Sequence, residues 1–182
     1  PDPHGRADPL AASLSPNVVS VSSMSKAYGL PGIRIGWAVT TDPMLGETLL
    51  AAKEQVVICG STLDEHIAGR VLADRKRILP PIVAGVRERL AVVEAWMAGQ
   101  DTFEWVRPSG GVVGLVRFRD EVGVDEAAFH HRLLADHGTY VGPGHWFELD
   151  DRSFRLGFGW PTHDELRAGL DALLLAATDA AR

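Results

Sequence analysis

Ser23, Ser25, Lys26 and Arg34 fall within one short stretch, Ser22-Ser23-Met24-Ser25-Lys26-Ala27-Tyr28-Gly29-Leu30-Pro31-Gly32-Ile33-Arg34-Ile35-Gly36-Trp37. Together they carry the groups needed to hold an anion and to attack a carbonyl. Glycines and small hydroxyl residues after a strand let the backbone approach an anion closely and offer it N–H and O–H donors. Arg34, eight residues after Lys26, can grip a phosphate through two parallel hydrogen bonds. That leaves the lysine for a different task. An amine whose pKa falls through burial or a nearby cation is a nucleophile toward carbonyls and forms Schiff bases. A phosphate and an aldehyde on one molecule describe pyridoxal phosphate. The alternative for the same residues is a surface lysine on a glycine-rich turn beside a solvated arginine.

Arg155 is the second candidate, set in the otherwise apolar run Phe154-Arg155-Leu156-Gly157-Phe158. An unpaired guanidinium on a half-buried strand costs on the order of several kcal/mol. Its partner is therefore either a neighbouring carboxylate, Asp150 or Asp151, or the substrate. Seven histidines raise the question of a metal. His130, His131 and His137 lie on one helical segment, but adjacent histidines point to different helix faces and no cysteine or second carboxylate stands at ligand spacing. They read as structural, and no metal is expected. Tyr28, beside the lysine, reads as core. No phosphate-binding Walker loop, dinucleotide fingerprint or serine-hydrolase elbow is present.

Short strands interleaved with helices must position these groups, which makes the chain α/β. Apolar β-branched residues at Val18, Val19 and Val21 predict a strand over 18–22, and the alternation of Ile33, Ile35, Trp37 and Val39 predicts another over 33–39. Residues 1–17, rich in Pro, Asp, Ser and Gly, read as a loop. Asp42-Pro43 starts a helix that breaks between Gln55 and Gly60. A second helix, capped by Ser61 or Thr62, places Leu63, Ile67, Val71 and Leu72 on one face and ends at Pro80-Pro81. A long amphipathic helix runs from Pro81 to about Gly99. Strand patterns at 103–106 and 112–118 flank the turn Pro108-Ser109-Gly110-Gly111, and residues 125–136 form a helix. A strand begins at Tyr140-Val141 and stops at Gly142-Pro143-Gly144. Residues 153–159 form the last strand, and Thr162-x-x-Glu165 opens the last helix as a capping box.

Composition removes several function classes. The 182 residues, 46% of them apolar, fit one ordinary domain or slightly more. A net charge of −6 with no Lys/Arg-rich block carries no footprint for nucleic acid. Cys59 is the only cysteine, so no intrachain disulfide forms. Lys53, Glu54 and Asp171 interrupt the apolar stretches before they could span a bilayer. The first residues carry no apolar signal segment, and a cytoplasmic protein is expected.

The pattern Ser23-x-Ser25-Lys26-x-x-Gly29-Leu30-Pro31-Gly32-x-Arg34-x-Gly36 resembles the lysine motif of the class I/II aminotransferases, fold-type I pyridoxal-phosphate enzymes. The resemblance implies that Lys26 holds pyridoxal 5′-phosphate covalently and serves as the catalytic base. It implies that Ser23, Ser25 and Arg34 bind the cofactor, Ser23 and Arg34 at its phosphate. Val141-Gly142-Pro143-Gly144-x-x-Phe147 followed by Arg155 is similar to the family's small domain, where such an arginine clamps the α-carboxylate of the amino acid. The implied reaction is amino transfer between an amino acid and a 2-oxo acid. Other chemistry at Cα or Cβ on the same fold (lyase, cyclase or decarboxylase) and a non-catalytic sensor domain of a transcription regulator are the alternatives. The family's pyridinium-pairing aspartate lies some three dozen residues ahead of the lysine. Only 25 residues precede Lys26 here, and Asp2 and Asp8 sit in a loop. The chain is thus expected to be the C-terminal part of a longer enzyme. Residues 1–90 would be the end of the cofactor-binding large domain with its connecting helix, and 91–182 the small C-terminal domain. The resemblance also implies a homodimer.

Overall fold

The computed structural model describes residues 9–181, so Asp2, Asp8 and the first part of the expected 1–17 loop lie outside it. The chain divides into two compact units, and the division falls within a helix, between residues 83 and 84.

In the first unit, β1 (Ser20–Ser23) and β2 (Gly36–Val39) pair antiparallel, with Ser20 opposite Val39 and Ser23 opposite Gly36. β1 starts later than the run of valines because the Val18 N–H is used in a turn, donating to the Ser15 carbonyl at 3.2 Å. β2 starts at Gly36, after residue 33, because Pro31–Ile33 form a 3-10 turn that Arg34 ends in the left-handed region (φ 52°). Between the strands lies the short helix α1 (Met24–Ala27). Within the expected N-terminal loop, Ala11–Ser13 form a further 3-10 turn.

Helix starts follow their local sequence. Asp42 Oδ1 accepts the N–H groups of Met44 (2.7 Å) and Leu45 (3.1 Å), and Pro43 occupies the first position of α2 (Pro43–Val56). Ser61 caps α3 (Thr62–Ala73), its Oγ accepting the Asp64 N–H at 3.3 Å. Two expectations fail here. Leu63 and Ile67 are exposed, and the residue that α3 buries is Ala68. Pro80-Pro81 does not end a helix, since α4 (Arg75–Ala98) runs through both. The break comes earlier, at Asp74. Its N–H closes α3 on the Arg70 carbonyl (3.1 Å), and its carbonyl accepts Arg77 (2.9 Å) and Ile78 (3.1 Å) to begin α4. With the helix already begun, each proline withholds one ladder donor without stopping it, while Ile78, Leu79, Ile82 and Val83 around them are half-buried.

The second unit is a four-stranded antiparallel sheet of β3 (Phe103–Trp105), β4 (Val113–Phe118), β5 (Gly142–Pro143) and β6 (Ser153–Gly157), in the order β3-β4-β6-β5. Two further helices, α5 (Glu126–Ala135) and α6 (His163–Asp179), complete it. Phe103, Phe118, Phe129 and Phe154 are fully buried, and the ring centroids of Phe118 lie 4.8 Å from Phe103 and 4.9 Å from Phe129. Val86, Leu90, Val93 and Met97 of α4 and Leu166, Leu170 and Leu173 of α6 join the same core. Burying each such side chain stabilises by about 1.5–3 kcal/mol. The strands alternate accordingly: Val116, Phe154 and Leu156 face the core, whereas Val113, Leu115, Arg155 and Gly157 face away from it. The strand expected at Tyr140-Val141 is displaced to Gly142–Pro143, where Pro143 stands opposite Phe154. A proline that cannot donate is tolerated there because β5 is an edge strand. No helix among the described residues is long and apolar enough to cross a membrane.

Candidate active site

The chemistry-bearing connection begins at Ser23, which ends β1 and caps α1. Its backbone is extended (φ −151°, ψ 167°), and its Oγ accepts the Ser25 N–H at 3.3 Å. Since that oxygen only accepts in this bond, its hydroxyl proton stays available to a ligand. Ser25 is half-buried, and Lys26 follows it with an exposed side chain. Met24 anchors the turn. Its side chain is fully buried, its N–H donates to the Ile35 carbonyl at 3.0 Å, and its carbonyl accepts the Leu30 N–H at 3.0 Å. Both ends of the returning segment are thereby tied to α1. Gly29 takes a positive φ of 66°, the left-handed step that turns the chain after the helix.

Arg34 holds the same left-handed backbone without being glycine (φ 52°, ψ 33°), at a cost of about 1 kcal/mol. Its exposed guanidinium uses one N–H, Nη1 donating to the Pro31 carbonyl at 2.8 Å. The remaining N–H groups of the fork make no other hydrogen bond or ion pair among the described residues. Strain retained at an exposed cation is a pattern of functional positions. Ser23, Ser25, Lys26 and Arg34 thus share one connection of the first unit: two hydroxyls, a guanidinium and a primary amine. This donor set suits a phosphate dianion beside an aldehyde. Tyr28 is half-buried at the end of α1.

Arg155 lies in the second unit, in the middle of β6, flanked by Leu115 on β4 and Gly142 on β5. It is exposed, so the burial penalty expected from its apolar strand does not apply. The carboxylates that could have paired with it are engaged elsewhere. Asp150 Oδ1 accepts the Ser153 hydroxyl at 2.6 Å, and Asp151 Oδ1 lies 3.5 Å from His145 Nδ1. Arg155 makes no ion pair among the described residues. Its Cζ instead lies over the ring of Phe147, 4.8 Å from the centroid. In the sequence Phe147 is part of the motif that precedes Arg155, with no role of its own. The only signal was its position after the Gly142-Pro143-Gly144 turn, and nothing local announces a contact between residues 147 and 155. The glycine turn 108–111 joins β3 to β4, with Gly111 at φ 89°.

No cluster of histidine, cysteine and carboxylate side chains among the described residues is arranged to hold a metal. His130 packs against Phe129, ring centroids 5.0 Å apart, and its Nε2 is buried without a hydrogen-bond partner. Burial pushes its pKa below the usual imidazole value; the field of Asp151 opposes this and that of His145 adds to it.

Comparison with known proteins places these features in context. The family described as aminotransferase class I and II matches residues 4–173. Capreomycidine synthase of Streptomyces vinaceus is 34% identical over 157 residues, 86% of this chain and 39% of the synthase. A PLP-dependent aminotransferase from Streptococcus suis superposes with a TM-score of 0.86 at 28% identity, over 96% of this chain and 45% of that one. The PLP-dependent cyclase OrfR gives a TM-score of 0.80 at 32% identity, over 93% of this chain and 45% of the cyclase. The chain therefore spans less than half the length of the relatives it matches.

Proposed function

Since the chain belongs to the class I and II aminotransferase family, whose cofactor is pyridoxal 5′-phosphate, we propose that it forms the lysine-bearing part of an enzyme transferring an amino group from an amino acid to a 2-oxo acid. The observation that carries this reading is the single connection holding Ser23, Ser25, Lys26 and Arg34, with the Ser23 hydroxyl proton and most of the Arg34 fork unengaged. Lys26 Nζ is the attachment point for the cofactor, Ser23 and Arg34 are its phosphate ligands, and Ser25 is a further cofactor-binding residue. Once bound, the cofactor supplies an electron sink that weakens the bonds at the amino acid Cα. Lys26 Nζ would take the proton from the amino acid Cα as base and then, as acid, deliver it to the cofactor and not back to Cα. Arg155 grips the α-carboxylate with a two-pronged fork and so fixes the direction of the Cα–H bond. Residues 1–90 serve the cofactor and 91–182 form the smaller domain of a homodimeric, cytoplasmic enzyme acting in amino acid metabolism.

The test is Lys26→Ala in the full-length protein. The expected outcome is joint loss of the yellow cofactor absorbance and of turnover. Activity near the parent level removes the assignment.

A second reading, ring closure or another reaction at Cα or Cβ, is favoured by the likeness to the cyclase. Product analysis separates the two: a 2-oxo acid formed in step with a new amino acid supports transfer, and a cyclic or deaminated product supports the second reading.

A further inference from the structure

Among the described residues no hydrogen bond or ion pair holds the Arg155 head group, which lies over the ring of Phe147, and its surroundings suit an arginine kept ready for a ligand. The guanidinium sits with Cζ 4.8 Å from the ring centroid. A guanidinium resting over a ring spends none of its N–H groups on an acceptor there, whereas an ion pair would consume them. Of the two aspartates closest in sequence, Asp150 accepts the Ser153 hydroxyl and Asp151 lies against His145, and neither pairs with Arg155. Opposite Arg155 on β5 stands Gly142, where a Cβ would come to 3.6 Å from Arg155 Nε and 3.5 Å from Phe147 Cε2. The absence of a side chain leaves that edge open.

Phe147 is itself firmly placed. It ends the 3-10 turn Gly144–Phe147, and Glu148 then reverses the chain in the left-handed region at φ 58°. The Leu149 N–H closes the turn on the Gly144 carbonyl at 3.2 Å. Gly144 has no room for a side chain, since a Cβ would collide with the carbonyls of Asp150 and Ser153. The turn is therefore seated on the segment leading into β6, the strand that bears Arg155.

We propose that Phe147 is a positioning residue: its ring sets the plane of the Arg155 guanidinium so that the edge of the fork, with no internal carboxylate on it, receives a carboxylate ligand. The inference rests on the reading of Arg155 as the substrate-carboxylate clamp. Arginine carries many rotamers, and a ring beneath the head group removes those that point the fork elsewhere, so the ligand meets a pre-oriented site.

The experiment uses the full-length holoenzyme. Each proteinogenic L-amino acid is screened as amino donor, and the best is studied alongside the amine that lacks its carboxylate. Phe147→Leu removes the ring, Phe147→Tyr keeps it, and Arg155→Ala is the reference. Phe147→Leu is expected to raise KM for the amino acid by about three- to tenfold with little change in kcat. Phe147→Tyr should restore the parent value, and turnover of the amine should be the same with either side chain. Phe147→Met, also unbranched at Cβ and apolar, replaces the leucine variant should that one fold poorly. A KM for the ring-less variant within about twofold of the parent, while Arg155→Ala weakens binding strongly, overturns the role of Phe147 and leaves the clamp standing. Equal weakening for amino acid and amine also overturns it. An unchanged KM in Arg155→Ala removes the clamp itself.

Discussion

Ser23 and Gly36 stand opposite each other across the β1–β2 hairpin, and a Cβ at position 36 would lie 3.3 Å from Ser23 Cβ and 2.8 Å from the Ser22 carbonyl oxygen. The second distance is closer than a carbon and a backbone oxygen can approach, and a backbone atom cannot swing aside as a flexible side chain would. Gly36 thus lets the strand that follows Arg34 lie directly against the serine proposed to hold phosphate. Gly36→Ala is expected to push the strands apart and lower stability by about 1–3 kcal/mol, with faster loss of cofactor from the full-length protein. Urea unfolding and cofactor release on dilution measure the two effects. Parent-like values in both would show that the hairpin has room for a methyl group.

Arg34 separates backbone from head group. At φ 52° the left-handed conformation disfavours arginine and suits glycine. Arg34→Gly is expected to leave stability unchanged or raise it by about 1 kcal/mol, while cofactor affinity falls. Thermal unfolding without cofactor, paired with cofactor titration, checks this. A variant that binds the cofactor as tightly as the parent would remove Arg34 from the phosphate site.

His130 predicts a pH dependence. Burial lowers its pKa in the folded chain, partly opposed by Asp151 and helped by His145. The neutral ring is therefore favoured by folding. The stability it contributes is present above the unfolded histidine pKa of about 6.5 and is lost as the pH falls through that value toward the lower folded one. His130→Phe, which keeps a ring against Phe129 and Phe154, is expected to flatten the decline in unfolding midpoint between about pH 7 and pH 5. Curves that stay parallel across that interval would assign the decline to other groups.

Capping was legible because it is local. Asp42 with Pro43, Ser61, and the Thr162–Glu165 box each satisfy N–H groups within three residues of themselves, so a short window of sequence contains both partners. The two prolines in α4 and the strand at Gly142–Pro143 were misplaced for the opposite reason. Whether a proline is tolerated depended on Asp74 having already started the helix, and on β5 being an edge.

Long-range ties were invisible. Arg89 donates from Nε and Nη2 to the carbonyls of Phe158 and Gly159, each at 2.8 Å, and Arg152 donates from Nη2 to the carbonyls of Arg119 (2.6 Å) and Val122 (3.0 Å). In sequence these are ordinary charged residues; in the second unit they hold loops to helix and strand.

The sequence alone determined the family, the α/β class and the placing of Ser23, Ser25, Lys26 and Arg34 on one connection between β1 and β2, because residues so close along the chain cannot be carried to separate elements. Only the tertiary structure decided what surrounds Arg155. Its neighbours Leu115, Gly142 and Phe147 come from other elements, and whether a guanidinium is buried, paired or open is set by sheet register and turn geometry, which bring together residues that no local pattern connects.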